Sequence, residues 1–508
     1  MNVNNETTTL LRLIIGVCIT SLCVVSCDGP IDTPFIAELT PTSQDSSAIA
    51  WTPILVVDVP ANVIPTAPAN DEGLDAVRTA VAGRTDAQRR SIRRWNQGAV
   101  QEWSTIARKM VVKYNITPAA ERNPDGTFTG RFLPDPAKPL ASPPFASRMF
   151  SLIEVGTYDG LIHAWRAKYA ARRLAPYVVD PSIQTLAPKT NLPSYPNEDA
   201  IIARVAVEVI VLLYPGERAA MEALYTDATQ SRIWAGVARP SDVAAGDSLA
   251  MFIVTKLKAR ATADKWSDAD NQPAWKLREA ALVTTWPKWK SVESPARPPL
   301  HPLGGDVLPW NISSAAALNP GPPPSESDPK FQAEMNEMRQ LAKNRTRDQV
   351  RIANYWEAGG GTEGPPGVWM KIAEDRSRSA NFSAVRSARV HAYVACALHD
   401  AAVACWYTKY KYFTARPCTI DPTVSMSAGL PNFPGYSSGH SSFSGASAEV
   451  LSYFFPASEN ELRAMAVEAA NSRIYSRIHV RVDCEVGLTQ GYNVGKASVD
   501  KARLDAGE

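Results

Sequence analysis

The sequence predicts an all-α protein. Apolar residues recur at three- and four-residue spacing through most of the chain, and no strong alternating strand pattern accompanies them. The 40 prolines gather between the periodic stretches rather than inside them, so they read as ordered connectors around helices. At 508 residues the chain can bury a large core, as two to four domains or one large helical body. Its 53 Lys and Arg nearly balance its 51 Asp and Glu, which implies no polyanion-binding surface and no nucleic-acid partner.

Residues 1–27 read as an export signal. The apolar run Leu13 to Val25 is too short for a comfortable membrane span and ends in Val24-Val25-Ser26-Cys27, which resembles a bacterial lipobox. Cleavage there leaves Cys27 as a lipidated N-terminus, with an envelope location and a membrane attachment by lipid alone. An ordinary signal peptide is the alternative, and a buried apolar segment is another. Residues 28–72 are a Pro-, Thr- and Ser-rich tether and irregular arm. Residues 73–262 form a helical bundle. It begins with a helical pattern from Leu74 to about Lys113, where Trp95, Val100, Trp103, Ile106 and Met110 keep near-helical spacing. After a Pro- and Gly-rich loop (115–145) come helices at about 146–173, 199–213, 217–233 and 241–262. Residues 263–330 are a Pro-rich connector that includes Pro295 to Pro324, a run with little regular structure of its own, and 331–508 form a second helical bundle. Ser458 and Glu461 have capping-box spacing ahead of one of its helices. Cys396, Cys405, Cys418 and Cys484 show no metal-ligand spacing; one disulfide and buried free thiols are both open.

The two bundles match at a constant offset of 241 residues. Asp159 to Tyr169 (DGLIHAWRAKY) aligns with Asp400 to Tyr410 (DAAVACWYTKY), Ser231-Arg232 with Ser472-Arg473, and Asp242 with Asp483. This predicts a duplication about a pseudo-twofold axis. At the same offset His440 faces Asp199, His479 faces Ala238, and Arg416 faces Ala175. The first bundle keeps scaffold positions and loses chemical ones, so it is expected to be structural.

The chemistry therefore belongs to the second bundle. Ser438-Gly439-His440 precedes a helical run that Pro456 stops, so its N–H groups and partial positive charge suit an anion. Gly439 allows close approach, Ser438 adds a hydroxyl, and His440 can move protons. Lys409 and Arg416, seven apart, can reach one site from a helix end and the following turn; the alternative is a solvated basic pair. Asp483 follows His479 by four residues and can hold its imidazole in one tautomer. Gly487, Gly491 and Gly495 recur every fourth residue and allow close helix packing behind the site.

Together Lys409-x6-Arg416-Pro417, Ser438-Gly439-His440 and Ser472-Arg473-x5-His479-x3-Asp483 resemble the signature of the type 2 phosphatidic acid phosphatase and vanadium haloperoxidase superfamily. His399-Asp400 with Trp406, Phe433-Pro434-Gly435-Tyr436, and Tyr355-Trp356 followed by Pro365-Pro366-Gly367 resemble its soluble haloperoxidase branch. The resemblance implies vanadate as cofactor, bonded to His479 and cradled by Lys409, Arg416, Arg473, Ser438 and Gly439. It implies His440 as the proton-handling group, with hydrogen peroxide and halide as substrates. It also implies a rival reading, an acid phosphatase in which His479 attacks a phosphate ester and no cofactor is needed. A non-catalytic anion-binding protein is a third. Trp406 and Phe433 match the halide side, with core aromatics as the plain alternative. Relatives are often oligomers, which makes a homo-oligomer an expectation with no legible interface. Two departures stand out. Ser437 replaces the usual proline before Ser-Gly-His, and Ala415 replaces a tryptophan common before Arg-Pro in haloperoxidases.

Overall fold

The computed structural model describes residues 37–133, 135, 138–284 and 286–507. The expected signal segment and Cys27 lie outside the described residues. The chain divides into two units, Met1–Glu38 and Leu39–Glu508, and every helix below belongs to the second.

The first group of helices is α1 (Leu74–Ala82), α2 (Asp86–Trp95), α3 (Ala99–Tyr114), α4 (Pro143–Ala171), α5 (Pro176–Val179), α6 (Glu198–Leu213), α7 (Arg218–Ala235) and α8 (Pro240–Ala263). Helix α9 (Gln272–Ala281) leads into an irregular stretch. The second group is α10 (Pro329–Lys343), α11 (Arg347–Tyr355), α12 (Gly364–Ser379), α13 (Ala384–Tyr412), α14 (Pro417–Ile420), α15 (Gly439–Phe454), α16 (Glu459–Tyr475) and α17 (Arg481–Ala502). A two-stranded hairpin, β1 (Ala120–Arg122) and β2 (Phe128–Phe132), lies between α3 and α4. The fold is all-α. Among the described residues no helix is long and apolar enough to cross a membrane.

Helices α4 and α13 pack on each other at the centre, and both bury most of their residues. Each starts at a serine cap, Ser142 or Ser383. Buried charges around them are paired. Arg148 meets Asp264 at 2.6 Å, and Arg389 meets Asp505 at 2.8 Å.

Element boundaries recur at the 241-residue offset: α4 with α13, α5 with α14, and α6 with α15 start and stop in step. The irregular segments repeat their contacts as well. Asp159 accepts the N–H groups of Ile54, Leu55 and Val56, and Asp400 those of Trp310, Asn311 and Ile312. Trp165 donates to the carbonyl of Gln44, and Trp406 to that of Leu300. The cap Ser383 touches Asp45, and its counterpart Ser142 touches His301. The stretch 300–312 is thus a strap held by α13, as the N-terminal arm is held by α4.

Two expectations are corrected, the loop 115–145 and the Ser458 capping box, and two are given detail. The loop 115–145 contains the hairpin, whose strands are too short for alternation to show; Gly126 turns it at φ +84°. The connector 263–330 contains α9, started by Asn271 accepting from Ala274 N–H and anchored by buried Trp275. The pattern from Leu74 to Lys113 is three helices. Ser458 makes no capping box: its backbone (φ −104°, ψ 5°) is not extended, and its hydroxyl accepts from Arg376 instead. The cysteine alternative resolves to free thiols at Cys396, Cys405, Cys418 and Cys484.

Candidate active site

Five helix ends meet at the site. The last turns of α13 carry Trp406 and Lys409, and Arg416 caps α14. Ser438 caps α15, accepting from Ser441 N–H, so Gly439 and His440 form the first turn, whose N–H groups lack intrahelical acceptors. Arg473 lies in the last turn of α16, His479 in the turn after it, and Asp483 in the first turn of α17. Helix α17 packs closely against α15 because a Cβ on Gly487 would lie 2.7 Å from the Ser438 carbonyl oxygen. A Cβ on Gly491 would collide with the Ser442 carbonyl. The same approach lets Ser438 N–H donate to the Asp483 carbonyl at 2.9 Å.

The imidazole of His479 is held from both sides. Nδ1 lies 2.9 Å from Asp483 Oδ2, although His479 stands in the turn and only Asp483 is helical. That contact assigns the proton to Nδ1 and leaves Nε2 as a lone-pair donor. Arg416 Nη1 lies 2.8 Å from Nε2 and also donates to the Ile478 carbonyl. Burial, reinforced by Arg416, Lys409 and Arg473, holds His479 well below the usual imidazole range, so it is neutral at pH 7. Burial pushes Asp483 up and Lys409 down.

His440 Nε2 is 3.1 Å from the Glu357 carbonyl, which leaves Nδ1 to take a proton. Burial, followed by Arg473, holds this ring neutral too. Arg473 Nη1 reaches the Trp356 carbonyl at 3.3 Å, while its buried Nε has no protein partner.

Gly439, His440, Arg473 and His479 line one cavity of about 270 Å³, with Trp406 and Phe433 on its apolar side. The two aromatic rings lie 4.8 Å apart. Lys409 and Arg416 stand behind this wall, each within 5.5 Å of the Phe433 ring. The Lys409 ammonium donates to the carbonyls of Pro434, Gly435 and Ser437 at 2.8, 2.8 and 2.6 Å. Lys409 therefore fixes the loop that presents Ser438-Gly439-His440, and acts on the cavity through its charge. Of the residues expected at the site, Gly439, His440, Arg473, His479, Trp406 and Phe433 line the cavity, whereas Lys409, Arg416, Ser438 and Asp483 stand behind its wall and Cys27 lies outside the described residues.

Several neighbours carry no sequence signal. The Trp356 and Glu357 carbonyls orient Arg473 and His440 through backbone atoms alone. Glu293 and Arg297 form an ion pair along the cavity wall, 2.5 Å apart. Leu300 brings the strap onto Trp406 and into the same wall. Only the i, i+4 spacing of Glu293 and Arg297 was available to find them, and it is common on any surface.

The donor set fits a tetrahedral oxyanion. It offers the unpartnered Nε of Arg473 and two free N–H groups at the start of α15, beside His479 Nε2, whose lone pair accepts from Arg416 Nη1 at 2.8 Å until a ligand takes that place.

Residues 390–501 match the family model for the PAP2 superfamily. The chain carries a PAP2-superfamily region there, and its fold is that of the vanadium-dependent haloperoxidases. The chain is similar to a bacterial vanadium-dependent iodoperoxidase of known structure (21% identity, TM-score 0.57), covering 79% of this chain and 96% of that one. It is also similar to a bacterial vanadium-dependent chloroperoxidase. The apo form gives 11% identity and TM-score 0.51, over 72% of this chain and 95% of that one. The holo form gives 12% and 0.50, over 72% and 93%. No curated protein sequence matches the chain.

Proposed function

We propose that this chain is a vanadium-dependent haloperoxidase-like enzyme that oxidises halide with hydrogen peroxide. One observation carries the reading: a neutral His479, pinned by Asp483 at Nδ1, offers Nε2 to a cavity that also holds Arg473, Gly439 and His440. Vanadate held there would supply the Lewis acid that activates peroxide. His479 would hold it, Arg473 would donate to its oxygens, and Arg416 would add its charge from behind the wall. The Gly439 N–H and the Ser438 hydroxyl would add neutral donors. His440, neutral and with Nδ1 open, would take the peroxide proton. Trp406 and Phe433 would form the halide side.

The PAP2 match favours a second reading, a phosphatase of phosphate esters at the same cradle. There Nε2 of His479 bonds to phosphorus, the ester P–O bond breaks, and the leaving oxygen takes a proton from His440. A ring held neutral by burial serves the first reading better, because a neutral imidazole accepts a proton and has none to give at Nδ1. Both activities are assayed on purified protein, with and without orthovanadate. Vanadate-dependent halide oxidation is expected; ester hydrolysis without it would replace the first reading by the second.

We also propose export with lipid attachment at Cys27. Fatty-acid labelling of cells should mark the wild-type chain and not Cys27→Ser; equal labelling would overturn it.

A further inference from the structure

We propose that the first bundle holds a second oxyanion cradle, in which the chain's own Glu198 and Asp199 stand where the anion would sit. The inference rests on the reading of the second bundle as an oxyanion site.

Two cations persist at equivalent places. Lys168 and Lys409 are 241 residues apart, both fully buried, and donate to equivalent carbonyls, Pro193 at 2.7 Å and Pro434 at 2.8 Å. Arg232 and Arg473 share the same offset and close equivalent helices. A cavity of about 160 Å³ opens at the start of α6, lined by Trp165, Glu198, Asp199 and Arg232. Their counterparts Trp406, Gly439, His440 and Arg473 line the cavity at the start of α15. The caps correspond too, Asn197 for α6 and Ser438 for α15.

The difference lies in what meets the cations. In the second bundle neither Gly439 nor His440 brings a negative charge, and Arg473 Nε has no protein partner. In the first, Glu198 Oε2 lies 2.7 Å from Lys168 Nζ; Arg232 donates from Nε to Ser231 Oγ at 2.9 Å and from Nη1 to Asn96 Oδ1 at 3.1 Å, and the Asp199 carboxylate adds the negative charge 3.6 Å from Nε. The covalent ligand is gone, since Ala238 stands where His479 does, and Asp242 pairs with Arg173 at 2.7 Å instead of holding an imidazole. Two buried cations without an anion are strongly destabilising. The second bundle leaves its cradle open to an external anion. The first closes the same arrangement with carboxylates from its own helix start, where the helix dipole favours them.

The test is phosphate binding to the full chain at pH 7.5 by titration calorimetry. Wild type is expected to bind one phosphate, Glu198→Gln/Asp199→Asn two, and that variant with Arg232→Gln added one again. Asp199→Asn alone, which keeps the Lys168 pair, is the milder variant if the double change does not fold, and a second, weaker site is expected. One phosphate in wild type and still one in either folded amide variant overturns the inference alone. Two in wild type also overturns it, because the cradle would not be filled. None in wild type overturns the reading of the catalytic cradle on which the inference rests.

Discussion

Replacing Asp483 with asparagine changes one buried charge and almost no volume. In the native site Oδ2 accepts the Nδ1–H of His479 at 2.9 Å, and both groups are buried. A hydrogen bond to a charged partner contributes about 1.5–3 kcal/mol. At about 1.4 kcal/mol per factor of ten, its loss predicts a fall of roughly 10- to 150-fold in turnover or in affinity for an anion that bonds to Nε2. The effect on an anion that only sits among the cations runs the other way. Asp483 is the carboxylate beside Lys409 and Arg416, so its removal leaves their field less opposed. At pH 6, below the Lys409 range, Asp483→Asn should therefore lose turnover while sulfate binds at least as tightly as in wild type. Turnover within a factor of two of wild type would refute the tautomer argument. Parallel loss of sulfate binding would show that Asp483 holds the loop rather than the imidazole.

Three further predictions follow from the same packing. Burial pushes Lys409 down to about 7, so it loses positive charge as pH rises through that range, while Asp483, pushed up, gains negative charge. Sulfate affinity in wild type should thus fall between pH 6 and pH 8 on both counts. Lys409→Met should bind sulfate more weakly, show a shallower pH slope, and unfold more easily by about 2–5 kcal/mol, since three carbonyls lose their donor; an unchanged slope would refute it. Gly491→Ala should cost about 1–3 kcal/mol in denaturant unfolding, because its Cβ meets the Ser442 backbone. Unaltered stability would show that α15 and α17 are free to separate.

The sequence made the site legible where chemistry and local spacing coincide. Ser438 before a helical run is a cap signal, and Asp483 four residues after His479 comes within reach of its ring where the chain turns into a helix between them; both contacts are present. The long helices were legible because apolar period and stop signals agree, as at Pro215 and Pro456. Contacts through backbone atoms or between distant segments were not legible. Nothing in Trp356-Glu357 announces that their carbonyls orient Arg473 and His440. Lys409 reads as an anion ligand by type, yet its three donors go to carbonyls of a loop 25 to 28 residues away. The strap 300–312 looked like featureless connector because its anchors, Asp400 and Trp406, lie about 90 and 106 residues further on. Ser458 failed as a cap because a preceding 3-10 turn fixes its backbone, which residue type alone does not reveal.

The central claim is that His479 Nε2 holds a tetrahedral oxyanion in the cavity of the second bundle. Crystals of the wild-type protein soaked with orthovanadate test it most directly. Vanadium density is expected within bonding distance of Nε2, its oxygens facing Arg473 and the Gly439 N–H, and none in His479→Ala. Density seated away from Nε2, or equal density in His479→Ala, would contradict it.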